Sequence, residues 1–178
     1  MEFVSVINKM LGILTVTGQI VVIGGIVLFV VRRRNMLRFF GQHALVFSFA
    51  VALVATLGSL FYSEIAGYEP CKLCWLQRIF IYPQVLLLGM ALWKKDRGIA
   101  DYSIVLSAVG AVIAGYHYLL QLGVAPSLPC AAVGYSVSCA QRFVMQFGYI
   151  TIPLMAFTAF IMILLFMVSQ KLAGKELK

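Results

Sequence analysis

Charged residues are scarce in this chain, and their scarcity limits the solvent in which it can fold. Only 11% of the 178 residues are charged, whereas an ordinary soluble chain carries about 25%. The hydrophobic share is 62%, against about 45–50% in soluble domains. A soluble core of this length could not hide that excess, so lipid must be the solvent for much of the chain.

Internal repeats, low-complexity tracts and Gly/Ser-rich linkers are lacking as well. The length therefore fits one compact bundle without a second domain. The net charge of +8 raises the question of nucleic-acid binding, but no basic stripe carries interleaved polar groups. The cations cluster instead at the ends of apolar segments, which is typical of residues that set membrane topology. We therefore expect no nucleic-acid partner and a membrane lipid environment.

Five apolar stretches approach the length of about 20 residues that a helix needs to cross a bilayer. Helices are expected because an open strand edge cannot satisfy its backbone hydrogen bonds in lipid. The third stretch is short, so its helix should begin a turn earlier, near Cys74 or Trp75. The sequence predicts an all-α membrane protein, with spans over Met10–Val31, Ala44–Tyr62, Ile79–Trp93, Tyr102–Val124 and Tyr149–Gln170.

The distribution of lysine and arginine predicts the orientation of these spans. The segments after the first, third and fifth spans carry most of the cations, and the positive-inside rule places them in the cytoplasm. The N-terminus is then outside and the C-terminus inside. A cationic cluster follows the first span rather than preceding it, which favours a retained anchor over a signal peptide. The cytoplasmic cations are Arg32, Arg33, Arg34, Arg38, Lys94, Lys95, Arg97, Lys171, Lys175 and Lys178.

All four cysteines fall in the two loops that this orientation places outside the cytoplasm. An even number of cysteines on the oxidising face suggests disulfides. Cys71 and Cys74 form a C-x-x-C motif, whose small ring suits reversible redox exchange. Cys130 and Cys139 lie in a longer loop, where a disulfide would add little stability and tend to be labile. The pattern favours redox chemistry over two structural disulfides, and a four-cysteine zinc site lacks a second short C-x(2–4)-C spacing.

Three polar residues are expected near the first cysteine pair. Arg78 lies four residues after Cys74 and therefore on the same helix face, where it could stabilise a thiolate or merely extend towards water. His117 lies within the fourth span, with Gln121 one turn further out. An ionisable residue within a span is a functional hypothesis by default, although a hydrogen bond between helices is the alternative.

The segment from Ala140 to Gly148 mixes apolar residues with glutamines and an arginine. This composition suits a short helix lying in the membrane interface, next to the second cysteine pair. A plain loop is the alternative.

These residues resemble the DsbB family of quinone-dependent thiol oxidases, and within it the shorter-looped BdbC-like branch. The resemblance covers about residues 36–178, and its most specific part is the C-x-x-C followed by an arginine four residues on. The matching pieces are Glu69-Pro-Cys-Lys-Leu-Cys-Trp-Leu-Gln-Arg78, His117-Tyr-Leu-Leu-Gln121, Cys130, Cys139-Ala-Gln-Arg142 and Phe147-Gly-Tyr-Ile-Thr-Ile-Pro153.

The resemblance implies a role for each site residue. Cys71–Cys74 would be the disulfide pair that faces a quinone, either ubiquinone or menaquinone, with Cys74 attacking it. Arg78 would support the thiolate and the quinone. The resemblance also implies that Cys130–Cys139 oxidises a DsbA-like thioredoxin-fold partner through a mixed disulfide at Cys130. His117 would lie beside the quinone ring, and Gln121, one turn away, is assigned to the same cofactor site. No metal site is expected.

One departure from the family concerns the N-terminus. Family members usually have four spans and begin near the segment that matches Met36, so residues 1–35 are an additional helix. Its Gly18, Gly24 and Gly25 could allow close packing on the bundle. The sequence thus predicts a four-helix bundle over 36–178 with an accessory helix, in a bacterial cell membrane. A vitamin K epoxide reductase-type quinone reductase and a non-catalytic scaffold are the alternatives, although in the former the C-x-x-C comes after the loop cysteines.

Overall fold

The computed structural model describes residues 2–31, 34–125 and 138–175, with the backbone alone at 34–38 and 175. Five helices in these ranges are long and apolar enough to cross a membrane. Over the same residues there is no strand, and a single isolated bridge joins Gln146 and Ile150. The all-α membrane fold is therefore confirmed. The helices are α1 (Glu2–Val30), α2 (Arg34–Leu60), α3 (Lys72–Lys94), α4 (Ile99–Gln121) and α5 (Ile152–Lys175).

The first four helices begin before the apolar stretches because polar flanking residues join their first turns. By contrast, α4 ends at Gln121 and α5 begins at Ile152, both inside the predicted spans. The first helix begins at Glu2 rather than Met10, and an acidic residue in a first turn suits the positive end of the helix dipole. The third helix begins at Lys72, which confirms the expected earlier start. The second helix continues into a π-helical turn, Phe61–Ile65.

The core of the bundle lies between α2, α3, α4 and α5. Small residues allow the backbones to approach closely, as expected in lipid, where close packing helps to drive helix association. The closest case joins α4 to α5, because a Cβ built on Gly110 would lie 2.4 Å from the ring of Phe160. Phe160, Leu88, Ile163 and Met167 are all fully buried.

A polar clamp joins α3 to α4 in the middle of the bundle. The Gln84 side-chain oxygen accepts hydrogen bonds from Ser103 at 2.7 Å and Ser107 at 3.1 Å. The Gln84 amide nitrogen donates to the Phe80 carbonyl at 2.9 Å. The Gln84 oxygen, the Gln84 nitrogen and the two serine hydroxyls all have hydrogen-bond partners within the protein. These bonds therefore fix the relative position of α3 and α4, the two helices that carry the candidate site.

The additional helix α1 packs on the outside of the bundle, mainly against α5. A Cβ on Gly18 would lie 2.8 Å from the sulfur of Met162, so close packing at Gly18 is confirmed. Nothing lies within 4 Å of such an atom on Gly24. Just past its midpoint, α1 is also bonded to the segment before α5, where the Tyr149 hydroxyl donates to Gln19 at 2.9 Å.

The interfacial helix expected over Ala140–Gly148 is absent, so that prediction was wrong and the loop alternative holds. Residues 146–150 instead form a tight turn, closed by hydrogen bonds of 2.9 Å in both directions between Gln146 and Ile150. Within this segment, residues 146–149 form a four-residue turn in which the Tyr149 N–H donates to the Gln146 carbonyl at 3.3 Å. Its two central residues, Phe147 and Gly148, have φ of 52° and 79°. Positive φ at both positions is typical of a type I′ turn and incompatible with a right-handed helix.

Candidate functional site

The C-x-x-C motif is arranged by the start of α3. Cys71 is the N-cap residue, with φ −70° and ψ 172°, and its carbonyl accepts from the Trp75 N–H at 3.1 Å. This extended residue followed by one helical turn brings the two sulfurs to 3.3 Å. Both residues are free thiols here, so the structure describes the reduced form of the pair. The Cys71–Cys74 disulfide stays a prediction.

Cys71 is the member of the pair that holds its thiol proton more firmly. Its thiol donates a hydrogen bond to Cys74, and that bond, followed by burial, raises the pKa of Cys71 to about 12. A donor that loses its proton loses the bond, so the thiol form of Cys71 is favoured. Cys74 accepts this hydrogen bond and is the more exposed of the two cysteines. The geometry therefore assigns the two cysteines different parts, with Cys71 as the proton holder.

His117 is buried between the two cysteine-bearing segments, with 1% of its surface exposed. The Gln77 amide nitrogen lies 2.9 Å from Nδ1, and the Cys139 carbonyl lies 3.0 Å from Nε2. An amide nitrogen can only donate and a carbonyl can only accept, so Nδ1 accepts and Nε2 carries the hydrogen. Nε2 is also 3.7 Å from the Cys71 sulfur. His117 thus connects the first cysteine pair to the backbone of the second.

A small cavity collects four of the predicted site residues: Cys71, Cys74, His117 and Gln121. Its volume of about 20 Å³ is room for about one water molecule. The Gln121 amide nitrogen donates to the Gln141 carbonyl at 3.0 Å, whereas its side-chain oxygen is buried and has no partner. The site therefore keeps one unused hydrogen-bond acceptor beside the cysteines.

Cys139 joins the same site from the loop between α4 and α5. It is 3% exposed and forms a buried apolar cluster with Cys71 and Leu120, against which Cys74 packs. Its predicted partner, Cys130, lies outside the described residues, so the Cys130–Cys139 disulfide stays a prediction. The structure thus brings one cysteine of the second pair next to both cysteines of the first.

Arg78 lies on the side of α3 that faces α2. Its guanidinium donates to the Ser59 hydroxyl at 3.0 Å and to the Ser59 carbonyl at 3.1 Å. It also lies over the Trp75 ring, 4.9 Å from its centroid, and only 9% of the residue is exposed. An arginine that extended to the aqueous surface would be exposed, so that alternative does not describe this residue.

Two residues that were not predicted from the sequence hold the predicted ones in place. Gln77 orients His117, and Ser59 anchors Arg78. Both are uncharged polar residues inside apolar helices. A polar residue in a span often bonds across helices, which was the signal available. The donor atoms of Cys71, Cys74 and His117 all lie within 4.8 Å of one another, so these three could hold a metal ion.

The chain is similar to known disulfide bond formation proteins. The family described as "Disulfide bond formation protein DsbB" matches residues 41–170. A "Probable disulfide formation protein C" of Bacillus cereus is 48% identical over 68% of this chain and 87% of the relative. The "Disulfide bond formation protein C" of Bacillus subtilis is 44% identical over 67% and 86% of the two chains.

A third relative is the "SPbeta prophage-derived disulfide bond formation protein B" of Bacillus subtilis, 43% identical over 73% of this chain and 85% of its own length. No solved structure matches the chain significantly. The family match covers both the C-x-x-C and the site residues of α4. The chain therefore belongs to the DsbB family of disulfide bond formation proteins.

Proposed function

We propose that the chain is a membrane thiol oxidase that reoxidises a DsbA-like thioredoxin-fold protein and passes the electrons through two cysteine pairs to a quinone. The observation that carries the proposal is the buried contact between Cys139 and the Cys71–Cys74 pair. Two disulfides that only stapled loops would have no reason to share one buried cluster. Contact between the pairs is what electron transfer by thiol–disulfide exchange requires, because the attacking sulfur must touch the disulfide.

The first exchange takes electrons from the partner. A partner thiolate attacks Cys130 of the Cys130–Cys139 disulfide, forms a mixed disulfide with Cys130 and releases Cys139. The second partner thiol then displaces Cys130, so the partner leaves as a disulfide. Two electrons now reside on Cys130 and Cys139 as a dithiol.

The second exchange moves these electrons to the C-x-x-C. Cys139 attacks the sulfur of Cys71, the buried member of the Cys71–Cys74 disulfide, and releases Cys74 as the leaving thiolate. Cys130 then displaces Cys71, which restores the Cys130–Cys139 disulfide and leaves the C-x-x-C as a dithiol. The bond from Nε2 of His117 to the Cys139 carbonyl holds the attacking residue next to Cys71 during this step.

A bound quinone would accept two electrons and two protons and leave as quinol. The residues fit such a group by their chemistry. The Arg78 guanidinium suits a carbonyl oxygen, and the unpartnered Gln121 oxygen suits a quinol hydroxyl. Trp75 and Ile79 are 54% and 58% exposed and offer an apolar surface on the lipid side of α3. Cys74, Arg78 and Gln121 would hold the quinone, and His117 would support them from within the bundle.

The same proposal places the chain in a bacterial cell membrane, with its cysteine end outside the cytoplasm. The starts of α3 and α5 and the end of α4 meet at that end. At the opposite end, Lys171 of α5 pairs with Asp101 of α4, close to the cationic segment Lys94–Arg97. The positive-inside rule puts that cationic end in the cytoplasm.

The test combines the purified protein with a quinone and a reduced thioredoxin-fold dithiol protein, and follows thiol loss and quinol formation together. We expect one quinol for each partner disulfide, and no turnover when Cys139 is replaced by serine. A His43→Gln variant, altered at the other histidine of the chain, is the matched control. Quinol formation with no partner oxidation would contradict the proposal, as would continued turnover in Cys139→Ser.

A further inference from the structure

The reduced cysteine pair and His117 form a compact set of soft ligands. We propose that Cys71, Cys74 and His117 bind a zinc ion when the pair is reduced, and that the bound ion keeps the pair from being oxidised. The binding itself does not depend on the proposed function. Its consequence for turnover rests on that function, since it assumes that the cycle passes through the Cys71–Cys74 dithiol.

The spacing of the donor atoms matches tetrahedral zinc coordination. With Zn–S bonds of about 2.3 Å and a Zn–N bond of about 2.0–2.1 Å, two ligand sulfurs lie about 3.8 Å apart and a sulfur and a nitrogen about 3.6 Å apart. The observed separations are 3.3 Å between the two sulfurs and 3.7 Å between the Cys71 sulfur and Nε2 of His117. The third separation, between the Cys74 sulfur and the His117 nitrogen, is within 4.8 Å. Side-chain shifts of up to about 1 Å would bring all three donor atoms to these spacings.

The fourth coordination position is available beside these ligands. The cavity that Cys71, Cys74 and His117 line has a volume of about 20 Å³, which is room for about one water molecule. Three protein ligands and a water are the arrangement of zinc sites that keep an open position. The cavity is therefore the right size for the ligand that the protein does not supply.

The residues around His117 allow its Nε2 atom to bind a metal. Nε2 must lose its hydrogen to bind zinc, so the hydrogen moves to Nδ1 and the bond to the Cys139 carbonyl is given up. Gln77 faces Nδ1 at 2.9 Å, and a half-turn of its amide replaces the donor nitrogen with the acceptor oxygen. A hydrogen bond from the distal ring nitrogen to such an acceptor is the usual support of a metal-binding histidine.

The charge balance also suits a buried site. Binding releases the two thiol protons, and zinc with two thiolates and a neutral imidazole has no net charge. A neutral centre avoids the large cost of burying an unpaired ion. The nearest arginine in sequence, Arg78, donates its hydrogen bonds to Ser59 on α2.

The test uses a protein in which Cys130 and Cys139 are serines, so that Cys71 and Cys74 are its only thiols. The reduced protein is titrated anaerobically with zinc, in competition with a chromophoric chelator and without any quinone. We expect one zinc per chain and about two protons released per zinc. His117→Gln should bind at least about tenfold more weakly, whereas His43→Gln should bind like the parent.

A second measurement keeps the test valid if His117→Gln folds poorly. The same protein, with serines at positions 130 and 139 and no further substitution, is oxidised chemically to the Cys71–Cys74 disulfide and titrated again. We expect the zinc affinity to be lost. Equal affinity in the oxidised and reduced forms, or in folded His117→Gln and His43→Gln, would overturn the proposal. Because no quinone or partner is present, these outcomes are independent of whether the chain proves to be a quinone-dependent oxidase.

Discussion

Replacing Arg78 tests whether the arginine acts through the fixed geometry of its guanidinium or only through its charge. Two donors of the group serve one residue of α2, the hydroxyl and the carbonyl of Ser59. The same group lies over the rings of Trp75 and Tyr82, at 4.9 Å and 6.0 Å. Alanine removes all of these contacts, whereas lysine keeps the charge and can replace one hydrogen bond.

The magnitude follows from the buried contacts. A hydrogen bond from a charged group contributes about 1.5–3 kcal/mol, so Arg78→Ala should lower the free energy of unfolding by about 3–6 kcal/mol before relaxation. Arg78→Lys loses one such bond and should lower it by about 1.5–3 kcal/mol. No reduction for solvent screening is needed, because only 9% of the residue is exposed.

The assay measures thermal unfolding in detergent and the dependence of the oxidation rate on quinone concentration. We expect the melting temperature to fall from wild type to Arg78→Lys and again to Arg78→Ala. The oxidation rate at a given quinone concentration should fall in the same order. Arg97→Ala, which removes an exposed arginine from the opposite end of the bundle, is the matched control. If Arg78→Ala matched Arg97→Ala in both measurements, the structural role assigned to the guanidinium would be wrong.

Three further predictions concern Cys74, the core and the additional helix. Cys74→Ser should abolish quinol formation while the second pair still oxidises one partner molecule, and normal turnover would contradict this. Gly110→Ala places a methyl group 2.4 Å from a phenylalanine ring and should lower the free energy of unfolding by about 1–3 kcal/mol. Gly24→Ala, with nothing within 4 Å of the added methyl group, should not, and equal melting temperatures of the two variants would refute this packing. A chain starting at Met36 should insert and oxidise thiols, with lower stability, and correct insertion without activity would show that α1 shapes the site.

The fold could largely be predicted because lipid imposes a simple rule on the sequence. A segment that crosses a bilayer must be apolar over its length and satisfy its own backbone, so hydropathy identified all five helices. The ends were less predictable, since Glu2 and Lys72 are polar residues that helices include in their first turns. Hydropathy records the apolar run, whereas a helix end depends on the backbone conformation of the residues around it.

The loop after Cys139 shows where composition fails. Its mixture of apolar and polar residues fits an interfacial helix, but Phe147 and Gly148 adopt positive φ and close a tight turn. A phenylalanine with positive φ is uncommon, so this turn could not be expected from the residue types alone. The turn also makes contacts with residues far away in the sequence. One of them is the hydrogen bond from the Tyr149 hydroxyl to Gln19 of α1.

The site was predictable in its members and less so in its contacts. Periodicity put His117 and Gln121 on one helix face, and both line the cysteine cavity. The same reasoning put Arg78 on the face of Cys74, yet the hydrogen bonds of its guanidinium go to Ser59. One face of a helix can contact two neighbouring helices. Residue spacing alone does not show which of these helices provides the hydrogen-bond acceptors.

The proposed function requires that the Cys71–Cys74 pair itself delivers electrons to a quinone. The most direct test is a single turnover of the protein in which Cys130 and Cys139 are serines. The pair is reduced, the reductant is removed, and a quinone is added without oxygen while thiols and quinol are counted. We expect one quinol per chain together with the loss of both thiols. Thiols that persist without quinol formation, in a protein that remains folded, would contradict it.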